Sequence, residues 1–68
     1  MSDMELEFML MKYGYLSFLD KVNWVGTIPA VGDIVTIKTQ TYEVTKRRFS
    51  ANHTLSAVLI VKEYAIED

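Results

Sequence analysis

The stretch Ile28–Phe49, IPAVGDIVTIKTQTYEVTKRRF, constrains the fold more than any other part of the chain. Pro29 fixes φ near about −65°, which suits a turn or a strand edge and not a strand interior. Gly32 is free to take positive φ, as the third position of a type II turn from Ala30 to Asp33 requires. The two segments that follow, DIVTIK (33–38) and TYEVTKRRF (41–49), are rich in β-branched and aromatic residues. Val35, Ile37, Tyr42 and Val44 recur at every second position, so they share inner faces of two adjacent strands.

The remaining segments extend the pattern. TLSAVLIVKEY (54–64) places Leu55, Ala57, Leu59 and Val61 on one face and Val58, Ile60 and Tyr64 on the other. A strand apolar on both faces is expected to be covered on both. MELEFMLMK (4–12) admits two readings. Ser2 and Glu5 have capping-box spacing, and Met and Leu favour helix. Against this, Leu6, Phe8 and Leu10 alternate with Glu5, Glu7, Met9 and Met11, which fits a strand without further assumption, with Tyr13-Gly14-Tyr15 as its turn. LSFLDKVNWV (16–25) reads as another strand with a turn or bulge near Asp20-Lys21. Five short strands joined by tight turns predict an all-β, mainly antiparallel fold, a small five-stranded barrel, closed or half-open, over residues 1–68 as a single domain.

Composition limits how such a barrel is held. The chain has 68 residues, no cysteine and one histidine. A body this small buries only about 60% of its unfolded surface and usually needs a disulfide, a metal or a partner. Disulfides and thiolate metal sites are excluded by composition, and a lone His53 makes a zinc site an unpromising expectation. The chain is nevertheless 50% hydrophobic. Exposed apolar surface and self-association are therefore expected, as a homo-oligomer. No apolar run approaches the roughly 18 residues of a membrane-spanning helix, and the acidic first residues lack a basic leader, so a cytoplasmic protein is expected, in the host cytoplasm if the source is viral. The net charge is −2, with acids gathered at residues 1–7 and 63–68 and bases in between. The acidic ends read either as solvating tails or as a screen for the basic middle.

The motif Pro29-x-x-Gly32-Asp33-x-Val35, followed by Tyr42-x-Val44, a charged hairpin and a last apolar strand, resembles a set of short bacterial and phage proteins of unassigned function. The likeness covers residues 28–49 well, extends loosely to 64, and is weak before 28. It implies an SH3-like small β-barrel without enzymatic activity. Pro29, Gly32, Asp33, Val35, Tyr42 and Val44 carry it and look structural. Those proteins tend to have Gly between the third and fourth strands, where this chain has Lys38-Thr39-Gln40-Thr41. Thr and Gln are poor at the positive φ of a two-residue hairpin, so a wider or bulged loop is expected here.

No catalytic or cofactor motif is present. Glycines at 14, 26 and 32 cannot form a phosphate loop. Ser50 and His53 are near in sequence but lack a third group to orient the base. The remaining constellation is Lys46-Arg47-Arg48-Phe49. Along a strand Lys46 and Arg48 share one face, and Arg47 and Phe49 the other. If Tyr42 and Val44 point inward, Lys46 and Arg48 would too, unless the strand bulges or leaves the barrel, so the stretch is expected to protrude as a hairpin arm ending near 50–54. A solvated hairpin paired with Glu43 or Glu63 is one reading. Guanidinium forks beside an aromatic plane, with His53 at the tip, are another. Trp24 is either a core plug or a stacking platform beside that arm. Met9 and Met11, with Val58 and Ile60, form a candidate contact between subunits.

Function is accordingly expected to be non-enzymatic binding. The first expectation is a self-associating module that binds a partner protein, of the host if the source is viral. The alternatives are capture of an anionic nucleotide by the Lys46–Phe49 arm, or single-stranded nucleic-acid binding, which the net negative charge disfavours. No cofactor and no membrane partner are expected.

Overall fold

The computed structural model describes residues 4–51 and 55–65, with the side chains of residues 50, 51 and 55 left aside. Five strands follow in order: β1 Met4–Lys12, β2 Tyr15–Trp24, β3 Ile34–Ile37, β4 Gln40–Ala51 and β5 Leu55–Glu63. They form one sheet in the order β2-β1-β5-β4-β3, curled into a half-barrel. The β1–β2, β3–β4 and β4–β5 pairs are antiparallel, and the central β1–β5 pair is parallel. The strand reading of residues 4–12 holds: Leu6 and Phe8 are buried while Glu5 and Met11 are exposed.

Turn chemistry explains the joints. Lys12 pairs with Tyr15, so Tyr13-Gly14 is a two-residue loop with φ of 54° and 78°, the double positive φ of a type I′ turn. The Ala30–Asp33 turn forms as its residues require. Asp33 N donates to Ala30 O at 2.9 Å, Gly32 takes φ 97°, and Asp33 Oδ2 accepts the Ala30 amide at 2.7 Å. The expected wide loop before β4 does not occur. Ile37 pairs with Gln40, leaving Lys38-Thr39 as a two-residue turn in which Lys38 itself takes φ 60°. Lysine pays a steric penalty there. Pairing on both sides of the turn and burial of Ile37 hold it in place.

The core lies on the inner face: Leu6, Phe8, Ile37, Tyr42, Val44, Ala57, Leu59 and Val61 are buried. Ile28 and Trp24 pack against this cluster from the β2–β3 connection and its start. That connection also docks on β4, since Gly32 N donates to Val44 O at 2.8 Å and Val44 N donates to Asp33 O at 2.9 Å. Val58 and Ile60, on the opposite face of β5, are only half-buried within one chain.

Candidate functional site

Two irregularities in the ladders decide where the polar side chains go. In β2 the register slips between Phe8 and Met9, whose partners are Asp20 and Phe18, so Leu19 is the extra residue. The bulge expected near Asp20-Lys21 thus falls just before them. Past it Asp20, Val22 and Trp24 lie on the inner side, opposite Phe8, Leu6 and Met4.

In β4 the slip lies between Val44 and Lys46, with Thr45 as the extra residue. Its Oγ1 donates to Ile60 O at 2.9 Å. The bulge inverts the alternation. Lys46 and Arg48 now stand opposite Ile60 and Val58 on the outer face, and Arg47 and Phe49 stand opposite Leu59 and Ala57 on the inner one. The run is therefore not an arm that leaves the barrel: the bulge avoids inward burial of Lys46 and Arg48 while β4 stays paired with β5 through Ala51. The Arg47 guanidinium lies over the Phe49 ring, 5.4 Å from its centroid, and Phe49 is 53% exposed.

The ion pairs expected for this arm are made elsewhere. Glu43 pairs with Lys62 at 3.8 Å, and Glu63 with Lys12 at 3.0 Å. The Glu63 carboxylate, hydrogen-bonded to Lys12, raises that lysine above its ordinary pKa. Among the described residues none of Lys46, Arg47 and Arg48 has a carboxylate partner. His53 lies outside the described residues.

A second location was not legible in the sequence. Because the half-barrel stays open, β2 and β3 are the two terminal strands of the sheet. Between them lies a cleft of about 340 Å³, lined by Phe8, Val22, Trp24, Val35 and Ile37 with Asp20 and Lys38 among its polar groups. Trp24 is half-buried, packs against the core on one side, and donates from Nε1 to Thr27 O at 2.9 Å. That bond fixes the ring as a wall of the cleft. The ring therefore packs on the core and also walls the cleft. The cleft lining is mostly apolar, with few polar groups.

The candidate subunit contact is brought together on the outer face. Met9 pairs with Ile60, and Val58 lies one row away between Glu7 and Arg48. Met11 pairs with Leu16 further along.

Comparison with protein-family models, with curated proteins and with solved structures gives no significant match.

Proposed function

We propose that the chain is a non-enzymatic binding module that receives an extended segment of a partner protein in the open seam between β2 and β3. The observation that carries this reading is the failure of the sheet to close, which leaves two terminal strands on either side of an apolar cleft of about 340 Å³. An added strand satisfies the main-chain groups of a free edge, and side-chain pockets give such an interaction its specificity. The segment would place an apolar or aromatic side chain against Trp24 and Phe8. Asp20 supplies an acceptor beside that position and Lys38 a cationic donor. A random peptide library selected on the whole chain, followed by NMR shift mapping, tests the reading. Binders should share one bulky apolar residue and shift the signals of Val22, Trp24, Val35 and Ile37.

A second reading rests on the stacked Arg47 and Phe49 side chains, which offer one guanidinium and one ring to an anionic nucleotide or a single strand. The split of the basic run over two faces weakens it, because Lys46 and Arg48 cannot act on the ligand that Phe49 stacks. Titration with ATP and with a short oligothymidine, read at the Phe49 ring, separates the two readings.

A further inference from the structure

The outer face carries an arrangement that neither binding reading uses. Here β5 is the central strand, flanked by β1 and β4. Two rows cross it. Glu7, Val58 and Arg48 form one row, and Met9, Ile60 and Lys46 the next. Apolar groups thus run down the middle, with an acid on one flank and bases on the other. Glu7 and Arg48 stand on opposite sides of Val58, about 9.6 Å apart at the usual 4.8 Å strand spacing, with the Val58 side chain between them. The residue across from Glu7 on β2 is Lys21, but its ammonium goes to Glu5 at 3.4 Å. Among the described residues neither Glu7 nor Arg48 has an ion partner.

We infer that a second copy of this chain covers the outer face, packed sheet on sheet about a two-fold axis running along β5. The symmetry operation itself supplies the complementarity. A rotation of half a turn about a line parallel to β5 exchanges its two flanks and keeps each row at its own height. Val58 and Ile60 then meet their own counterparts. Glu7 of each copy comes over Arg48 of the other, twice, and the methylene stem of Lys46 lies over Met9. An isologous interface needs one patch that is its own complement, and this patch is one. Sheets packed face to face lie about 10 Å apart, a gap that an arginine and a glutamate side chain together bridge. Because the outer side of a half-barrel is convex, contact is confined to the three central strands. Interfaces below about 1,200 Å² in total belong to the weak, reversible class, so a concentration-dependent dimer follows.

The experiment is sedimentation equilibrium of the full chain across protein and salt concentration, with charge-reversed variants. Wild type should dimerise with rising concentration, and less at high salt, since half-exposed pairs are screened. Arg48→Glu and Glu7→Arg should each be monomeric, because each homodimer would carry two like-charge contacts. An equimolar mixture of these two variants should dimerise again, since both contacts are then complementary. Thermal melting checks that each variant folds. Should either fail, Glu7→Gln and Arg48→Gln replace them, and each should weaken the dimer and flatten its salt dependence. A wild type that stays monomeric to about millimolar concentration, far above where even a weak interface of this class assembles, would overturn the inference. Dimers that survive both reversals, or a mixture that stays monomeric, would overturn it as well.

Discussion

Thr45 Oγ1 donates a hydrogen bond to the carbonyl oxygen of Ile60 at 2.9 Å, at the point where β4 slips against β5. This one extra residue reverses which face the next four side chains occupy. Without an inversion, a strand carrying Tyr42 and Val44 inward would carry Lys46 and Arg48 inward after them. Thr45→Val keeps the shape and removes the hydroxyl. It should cost about 1 kcal/mol, the usual net worth of one such bond. Thr45→Ser should retain most of it. Urea unfolding measures both, and a valine variant as stable as wild type would mean that the hydroxyl does not hold the bulge.

At Gly32 the φ of 97° belongs to the region that β-branched residues avoid, and a Cβ there would meet nothing within 4 Å. The penalty of a side chain is thus backbone strain without crowding. Gly32→Val should lose about 1–3 kcal/mol. Its amide also serves the bond to Val44 O, so the damage should appear first as faster hydrogen exchange in the Ile28–Asp33 connection. An unchanged melting temperature would contradict the turn assignment.

Two other turns run in the opposite direction, because natural residues sit there under strain. Tyr13 is 86% exposed at φ 54°, and Lys38 takes φ 60°. Tyr13→Asn creates the Asn-Gly pair that a type I′ turn prefers, and Lys38→Gly relieves the second strain. Each should stabilise by roughly 0.5–1 kcal/mol, a few degrees in melting temperature for a domain of this size. Loss of stability in either variant would show that the side chain contributes more than its backbone strain costs.

The two faces of β5 should respond differently to the same insult. Leu59 is wholly buried, so Leu59→Asp should abolish folding, an unpaired buried carboxylate costing several kcal/mol. Ile60 is half-buried on the outer face. Ile60→Asp should leave a folded monomer that no longer associates. Circular dichroism combined with light scattering distinguishes these results. A folded Leu59→Asp variant, or an Ile60→Asp variant that still dimerises, would contradict the assignment of faces.

Most of the fold was legible because it rests on local chemistry. Alternation in 4–12 and from Val35 to Val44, Gly32 at a turn, and Gly14 between tyrosines each fix a strand or a joint with little outside help. The Lys38-Thr39 turn was misread for the same reason: local preference argues against positive φ at lysine, and tertiary pairing overrides it. The parity of the basic run shows that β4 must either bulge or leave the barrel, and only pairing with β5 decides for a bulge at Thr45 over a protruding arm. The cleft was not legible at all. Trp24 was singled out, but its neighbours Val35 and Ile37 come from a strand that meets β2 only because the sheet curls and stops short of closing. The parallel β1–β5 pairing, which brings Met9 beside Ile60 and Glu7 beside Val58, likewise has no local signature.

Binding of an extended protein segment in the β2–β3 seam is the proposal most open to direct test. Its most direct measurement is two-dimensional NMR of the full chain titrated with a peptide selected on it. Expected are saturable shifts at Val22, Trp24, Val35 and Ile37, intermolecular contacts from one bulky peptide side chain to the Trp24 ring, and loss of binding in Trp24→Ala with the remaining spectrum preserved. Shifts confined to Arg47, Phe49 and their neighbours, with the Trp24 indole unmoved, would contradict it.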